Sequence, residues 1–324
     1  MIIRPSLAGT TRRNVPPPLD NAEVPTARLA YGLRKLRAGY TGAAIRVRRD
    51  SDNTEADVYF GDRQEVTLSS MTSSGDTLRV FVGSDSAFVT KWYNQSGNSS
   101  TQPGGGSWTG FDKDPDAVQT TTSRQPELIS SGVFNRGLKC VTSGGFSASG
   151  DYLQVNSYRL PNSDDDFTMI FVGEVFNFSG GGGLITNLDN FNDGAEMLYL
   201  STSAYRLAVD SFDEDTATGY DTDTRTIVSA RYDRARSSAS GGDGKSMIVR
   251  VNGVETTRDV NEDKHIGRSD RFRIGCRRIN NNPFNGIIRE VYVFDSSAGS
   301  AALSDDIQLA LEKNIAIYNE VDYA

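Results

Sequence analysis

The second half of the sequence is a succession of short apolar segments separated by turn residues, and this pattern constrains the fold most. The segments are rich in β-branched and aromatic residues, which favour extended strands. The pair Asn252-Gly253 between two of them is typical of a hairpin turn, because these residues tolerate positive φ. The segments are 167–172, 197–200, 205–209, 226–232, 247–251, 272–275 and 287–294. So many short strands predict an all-β sandwich or barrel.

The first 27 residues predict an extended arm. The run Pro16-Pro17-Pro18 cannot form a helix interior or a strand ladder. Such an arm either threads onto a neighbouring subunit or is a free terminus. We therefore divide the chain into an arm, 1–27, and a sandwich domain, 28–324, whose two halves are 28–150 and 151–324.

Helices are predicted at both ends of the sandwich. Between 25 and 39, leucines recur at helical spacing on one stripe and predict a short N-terminal helix. Near the C-terminus, Ser304 is a good N-cap, and Asp305 and Asp306 suit the positive end of a helix dipole. The apolar stripe of Ile307, Leu311 and Ile315 predicts a helix that covers part of the sandwich.

The N-terminal half of the domain is predicted to contain strands and one long loop. Strand-like patterns occupy 45–48, 78–82 and 88–93. The stretch 94–124 is dominated by Gly, Ser, Asn, Thr and Asp, which predicts a surface loop longer than most connections.

Charge and composition exclude several classes of function. The chain has 324 residues and a formal net charge of -8, which argues against nucleic-acid binding, since that needs a basic face. No long apolar run or signal-type N-terminus is present, so we expect neither membrane insertion nor export. His265 is the one histidine, which disfavours a Ser-His-Asp triad and most zinc sites. Cys140 and Cys276 are expected to be buried free thiols.

Two stretches resemble known families that share one fold. The stretch 166–318 resembles a concanavalin A-like (laminin-G-like) jelly roll in the order of its strands, its Asn252-Gly253 turn and its terminal helix. The segments 30–37, 40–42, 45–52 and 92–98 are similar to the start of the α-L-arabinofuranosidase B catalytic domain and to phage virion proteins that carry this fold. Both resemblances imply a jelly-roll sandwich.

The resemblance to the arabinofuranosidases also implies positions for two catalytic carboxyl groups. Retaining glycosidases need a nucleophile and an acid about 5 Å apart. The segment 194–200 resembles the strand that carries the nucleophile, which places Glu196 there. The loop expected to carry the acid, 276–282, contains no carboxylate, and arginine or asparagine cannot protonate a leaving group at neutral pH. Asp270 and Glu290 are the alternatives for a displaced acid.

Several side chains are candidates for binding rather than catalysis. Sugar rings stack on aromatic residues, and sugar hydroxyls bind side chains that donate hydrogen bonds. The candidates are Tyr93, Trp108, Arg277, Arg278, Asn280 and Asn281. The acidic runs 112–116 and 164–166 could hold calcium, but neither has the spacing of a calcium loop, so no metal or cofactor is expected.

Three classes of function follow. In the first, which we favour, the chain is a non-enzymatic phage virion protein, a capsid decoration or a tail or fibre component. It would assemble in the host cytoplasm, contact other virion proteins through residues 1–27, form a homo-oligomer and bind host surface glycan. In the second, it is an arabinofuranosidase-like glycosidase. In the third, it is a glycan-binding module of a larger secreted protein.

Overall fold

The structure is a computed structural model that describes residues 15–97, 116–141, 150–156, 166–178, 180–188, 194–209, 212–216, 218–233, 245–260, 271–278, 281–295 and 303–324. The strands are β1 (Leu29–Gly32), β2 (Ile45–Arg49), β3 (Glu55–Val58), β4 (Ala87–Trp92), β5 (Ala117–Val118), β6 (Glu127–Ser130), β7 (Val133–Cys140), β8 (Leu153–Asn156), β9 (Phe167–Val175), β10 (Gly182–Leu188), β11 (Gly194–Leu200), β12 (Ala204–Val209), β13 (Phe212–Asp215), β14 (Arg225–Asp233), β15 (Lys245–Val251), β16 (Val254–Val260), β17 (Arg271–Ile274), β18 (Cys276–Arg278), β19 (Asn281–Pro283) and β20 (Gly286–Asp295). The α-helices are α1 (Leu78–Val82) and α2 (Asp305–Asn319), and short 3-10 helices lie at Pro18–Asp20 and Thr122–Arg124.

The strands form two antiparallel layers. Sheet I has the order β1-β20-β9-β14-β15-β16. Sheet II has the order β3-β2-β4-β5-β8-β17-β10-β11-β12-β13. The β6–β7 hairpin joins the layers, because β6 pairs with β4 and β7 pairs with β20. Each sheet takes strands from both 28–150 and 151–324.

Side chains alternate between two cores along the central strands of sheet I. On β9, Met169 and Phe171 enter the main core between the sheets, while Ile170 and Val172 enter a second core on the outer face. A strand buried on both faces reads as a continuous apolar run, as β9 does. The predicted all-β jelly-roll sandwich with a C-terminal helix is confirmed.

Helix α2 and the segment before β1 together cover the outer face of sheet I. Leu311 and Ile315 of α2 lie in the second core, and Ser304 occupies the N-cap position as predicted. Leu19 and Val24 lie in the same core. The part of the predicted arm from Val15 onward therefore packs on the body of this chain, while residues 1–14 lie outside the described residues.

The N-terminal helix predicted over 25–39 is wrong. Leu29–Gly32 is a strand whose residues all pair with β20. Leu29 and Tyr31 face the main core and Ala30 the second core, so both faces of the strand are buried. The leucines that suggested a helical stripe, Leu29, Leu33 and Leu36, are all buried. The pairing with β20 makes Leu29–Gly32 a strand.

Two further predictions need correction in the same half of the chain. Leu78–Val82 is a helix rather than a strand, because the Thr77 side chain accepts a hydrogen bond from the Val80 N–H at 3.3 Å and starts a helical turn. The stretch 94–124 is not one loop, since β5 and the 3-10 helix at Thr122–Arg124 lie within it.

The two cysteines are free and buried, as predicted. Burial raises the pKa of the Cys276 thiol to about 12 and that of Cys140 well above its usual value. Both thiols are therefore protonated and unreactive at neutral pH. Among the described helices, none is long and apolar enough to cross a membrane.

Candidate functional site

Glu196 lies on the outer face of sheet II. Its neighbours on β11, Ala195 and Met197, point into the main core, so alternation along the strand directs Glu196 the other way. The residue is nevertheless only 3% exposed. A buried carboxylate needs a neighbouring group that shields it from solvent and compensates its charge.

Arg277 supplies that compensation. Its Nε lies 3.0 and 2.9 Å from the two carboxylate oxygens of Glu196, and its Nη2 lies 2.8 Å from Oε2. The Arg277 side chain is 30% exposed, so it lies between the Glu196 carboxylate and the solvent. The two residues that the sequence analysis assigned to separate roles are one ion pair.

The hairpin of β18 and β19 places Arg277 over Glu196. The Thr186 hydroxyl on β10 donates to the Cys276 carbonyl at 2.9 Å and holds the hairpin down. A Cβ on Gly183 would lie 2.4 Å from the backbone nitrogen of Arg277, so the hairpin packs directly on the backbone of β10. A glycine at this position permits that approach.

The surroundings of Glu196 do not match those of a glycosidase nucleophile. A nucleophile needs a free carboxylate oxygen and an acid across the scissile bond. Here Arg277 engages both oxygens, and the residues directly opposite on the flanking strands are Thr186 and Ala208. Neither can serve as a general acid.

Neither alternative acid fills the gap within the described residues. Glu290 lies on β20, in sheet I, where it is bound to Arg34. It shares the outer side of that sheet with Tyr292 of the second core, so the sandwich separates it from Glu196. Asp270 lies outside the described residues.

Glu196 belongs to a line of residues that crosses sheet II in continuous register. We call this line the polar row, and it extends about 38 Å at about 4.8 Å per strand. Its members, from β3 to β12, are Asp57, Arg46, Lys91, Val118, Gln154, Arg273, Thr186, Glu196 and Ala208. The members from Asp57 to Gln154 are half-buried, while those from Arg273 to Ala208 are buried. The accessible end of the row is therefore the β3–β8 end.

Tyr93 lies at this accessible end. Its hydroxyl donates to Asp57 Oδ1 at 2.6 Å, and Arg46 binds the same carboxylate at 2.8 and 3.1 Å. Lys91 Nζ lies 5.2 Å from the centre of the Tyr93 ring. Burial and the bond to Asp57 raise the pKa of Tyr93, and the bond from Arg46 lowers the pKa of Asp57. The cluster thus keeps a neutral phenol beside two cations and a carboxylate.

The other predicted binding residues are placed less fully. Arg278 and Asn281 are opposite each other in the β18–β19 hairpin, close in sequence to Arg277. Trp108 and Asn280 lie outside the described residues. The structure therefore brings Arg277 to Glu196 and places Tyr93 at the far end of the same row.

Of the acidic runs considered for calcium, only Asp116 and Asp166 are described. Asp116 Oδ1 accepts the Asn94 N–H at 3.1 Å and Oδ2 lies 3.3 Å from Lys91, so its carboxylate is already bound within the protein. Within the described ranges, no group of three or more potential metal ligands comes together.

Sequence reasoning missed most of the polar row. The alternation of Arg46 with Ile45 and Val47 was visible and identified a strand with one polar face. Gln154 and Arg273 carry no motif, and only the pairing of β8 with β17 makes them neighbours. The register between distant strands was the missing information.

Comparisons with known proteins agree on the fold. No family model matches the chain, and no curated protein matches it. A mutant GH54 α-L-arabinofuranosidase soaked with 4-nitrophenyl α-L-arabinofuranoside is 13% identical, with a TM-score of 0.63 over 93% of this chain and 65% of that chain. An arabinofuranosidase complexed with arabinofuranosyl-α-1,2-xylobiose is also 13% identical, with a TM-score of 0.61 over the same shares. The chain thus shares the sandwich of these structures and spans 65% of their length.

A smaller match covers about half of the chain. The Ruminococcus gnavus IT-sialidase CBM40 bound to α2,3-sialyllactose is 14% identical, with a TM-score of 0.36 over 49% of this chain and 97% of that chain.

Proposed function

We propose that this chain is a non-catalytic, saccharide-binding β-sandwich that serves as a structural or adhesion protein of a phage particle. The observation that carries the proposal is the ion pair between Glu196 and Arg277. A carboxylate with both oxygens bound and 3% exposure cannot attack a sugar. The position that resembles a nucleophile is used here to hold the β18–β19 hairpin.

The accessible end of the polar row is the proposed binding surface. Arg46, Lys91 and Gln154 are half-buried and offer hydrogen-bond donors to sugar hydroxyls. Tyr93 lies beside them, and its aromatic edge can contact the apolar face of a sugar ring. The length of the row suits an extended oligosaccharide better than a single sugar.

A glycan array tests this surface. The wild-type chain should bind at least one arrayed oligosaccharide. The double variant Lys91→Ala/Gln154→Ala should bind that oligosaccharide at least tenfold more weakly. The control variant Arg79→Ala/Lys313→Ala removes two exposed side chains outside the row and should bind as the wild type does. Retention that is unchanged in the row variant, or absent for all arrayed saccharides, contradicts the proposal.

The place in a phage particle is supported by the similarity of the segments 30–37, 40–42, 45–52 and 92–98 to virion proteins. In this proposal the chain is a homo-oligomer, and residues 1–27 contact other virion proteins. Because Leu19 and Val24 pack on the chain's own body, the residues before Val15 are those we assign to that contact. Mass spectrometry of purified particles should detect the chain in a fixed ratio to the major capsid protein. Its absence from particles would remove this part of the proposal.

A glycosidase of the arabinofuranosidase type is the second candidate, and the shared sandwich favours it. It requires Arg277 to release Glu196 when substrate binds, and a proton donor from outside the described residues. The two proposals differ in one outcome, turnover of an arabinofuranoside.

A further inference from the structure

A second surface, on the opposite side of the sandwich, has the features of a ligand site. A cleft of about 970 Å³ lies between the loop 61–68, the segment 15–17 and the ends of β20 and α2. Its volume is within the range of small-molecule sites. Six of its lining residues are cationic and three are acidic (Asp62, Glu65 and Glu290), in a protein whose net charge is -8. The cationic residues are Arg34, Lys35, Arg63, Arg136, Arg225 and Arg289, and we call this surface the basic cleft.

The floor of the basic cleft is buried and charge-balanced. Arg34 and Glu290, 4% and 2% exposed, form a two-point pair at 3.0 and 3.1 Å. Asn319 of α2 donates to Glu290 at 2.8 Å, and the Tyr292 hydroxyl donates to the same carboxylate. Because every group there has a partner, the floor defines the shape of the cleft and supplies little free charge.

A β-bulge directs Arg289 into the same region. The pairing of β20 with β9 shifts between Ile288 and Glu290, which leaves Arg289 as the extra residue. Arg289 binds Glu174 at 2.6 Å and donates to the Arg136 carbonyl at 2.7 Å. Arg225 binds Glu174 at 3.3 Å and Glu320 at 3.0 Å. The guanidinium groups of Arg225 and Arg289 on this side of the cleft therefore both have carboxylate partners.

The rim carries two exposed cations, Arg63 and Arg136, and one exposed acid, Asp62. The exposed side chains of Arg63 and Arg136 make no hydrogen bond or ion pair with other described residues. Arg63 belongs to the 61–68 loop and Arg136 to β7, so the two guanidinium groups come from different walls of one cleft. A free guanidinium binds a carboxylate or sulfate through two parallel hydrogen bonds.

The backbone at this rim is strained. Arg136 has φ of 57° and Gln64, next to Arg63, has φ of 59°. Long side chains rarely occupy the left-handed region, and such residues collect at functional sites. The hydrogen bonds to the Arg136 carbonyl from Arg289 and to the Gln64 carbonyl from the Lys35 N–H, both at 2.7 Å, hold these conformations.

We propose that the basic cleft binds an acidic saccharide, with Arg63 and Arg136 on its carboxylate or sulfate groups. Gln64 and Thr67 line the cleft and can bind hydroxyl groups, and the Phe134 ring offers an apolar surface to a pyranose. An acidic peptide fits less well, because loops and side chains line the cleft and its described residues offer no open strand edge for backbone pairing. The site lies on sheet I and does not depend on the polar row of sheet II.

Isothermal titration calorimetry with four probes tests this proposal on the full chain. Tetragalacturonate carries carboxylates, a heparin tetrasaccharide adds sulfates, cellotetraose is neutral and hexaglutamate is an acidic peptide. At least one acidic tetrasaccharide should bind, and the stronger of the two identifies the preferred group. The double variant Arg63→Gln/Arg136→Gln should weaken that binding at least tenfold, while Arg79→Gln/Lys313→Gln, which loses the same charge elsewhere, should not.

Several outcomes would overturn the proposal. These are binding by neither acidic saccharide, equal binding of cellotetraose, binding of hexaglutamate alone, and an affinity unchanged in Arg63→Gln/Arg136→Gln. The melting temperature of each variant confirms folding, since both rim side chains are exposed. Unchanged binding in Lys91→Ala/Gln154→Ala separates this site from the polar row, so either proposal can fail alone.

Discussion

At the level of single residues, the environment of Glu196 is determined by one side chain, Arg277. A buried carboxylate is stable only when a partner compensates its lost hydration. Arg277 does this with two nitrogens, at 2.8 to 3.0 Å. The same contacts occupy both carboxylate oxygens of Glu196.

Removing Arg277 should therefore destabilise the fold. In Arg277→Ala the carboxylate of Glu196 remains buried without its partner, and we expect a loss of about 2 kcal/mol in the free energy of unfolding, discounted because Arg277 is 30% exposed. Urea denaturation at pH 7 measures this loss. Arg79→Ala, an exposed control, should stay within about 0.5 kcal/mol. Equal stability of the two variants would mean that the pair contributes nothing.

Asp151 provides a prediction about pH. It is 8% exposed, and burial raises the pKa of its carboxyl to about 6, against a contrary effect of the Val141 N–H that it accepts at 2.9 Å. The folded state holds this proton more tightly than the unfolded chain, whose pKa is about 3.9. The protonated Asp151 carboxyl therefore contributes to the free energy of unfolding below about pH 4, and this contribution is lost as the pH rises through about 6.

Asp151→Asn keeps the acceptor for the Val141 N–H without the charge. At pH 7 we expect this variant to be more stable than the wild type by about 2 kcal/mol, and at pH 4 the difference should be small. Chemical denaturation at both pH values measures the change. Asp76→Asn, at an exposed position, is the control. A difference that does not grow between pH 4 and pH 7 would contradict this account.

Among the elements, the β18–β19 hairpin determines what Glu196 can do. It lies on β10 because Gly183 leaves room for the Arg277 backbone. Gly183→Ala should displace the hairpin and cost about 2 kcal/mol, by overpacking. Thermal unfolding measures the effect, and Gly39→Ala, where an added Cβ meets nothing within 4 Å, should be neutral.

The same element allows a coupling test. Gly183→Ala and Arg277→Ala both separate Arg277 from Glu196, so their double variant should lose less than the sum of the single losses. Additive losses would mean that the hairpin position and the ion pair are independent.

Sequence patterns identified the elements that alternation or capping specifies locally. Seven strands of the second half, the Asn252-Gly253 turn and α2 were predicted; the strands are β9, β11, β12, β14, β15, β17 and β20. β10, β13, β16 and the β18–β19 hairpin were not predicted. Two elements were assigned incorrectly. Leu29–Gly32 was predicted as a helix and is a strand because it pairs with β20, and Leu78–Val82 was predicted as a strand and is a helix that begins at the Thr77 cap. Glu196 and Arg277 were found as candidates, but their contact depends on a fold-back over Gly183 that no local pattern encodes.

At the scale of the whole molecule, the segment before β1 completes the sandwich. Leu19 is 2% exposed and lies in the second core together with Leu311 and Ile315 of α2. Leu19→Ala should lower the free energy of unfolding by about 3 kcal/mol. Ile317→Ala, on α2 but 60% exposed, should change it by less than about 0.5 kcal/mol in the same denaturant titration. A neutral Leu19→Ala would mean that this segment is only loosely attached.

The molecule thus presents two different faces, the polar row on sheet II and the basic cleft on sheet I. Composition indicated an acidic protein and gave no sign of the cleft, because its cations come from residues as distant as Arg63 and Arg289. Only the folded arrangement concentrates them.

The central proposal, that Arg277 holds the Glu196 carboxylate and that the sandwich binds saccharide without hydrolysing it, is tested most directly with 4-nitrophenyl α-L-arabinofuranoside. The release of 4-nitrophenol by the wild-type chain should not exceed that by the Glu196→Gln variant at any pH between 4 and 8. Turnover by the wild type that disappears in Glu196→Gln would contradict the account and establish a glycosidase.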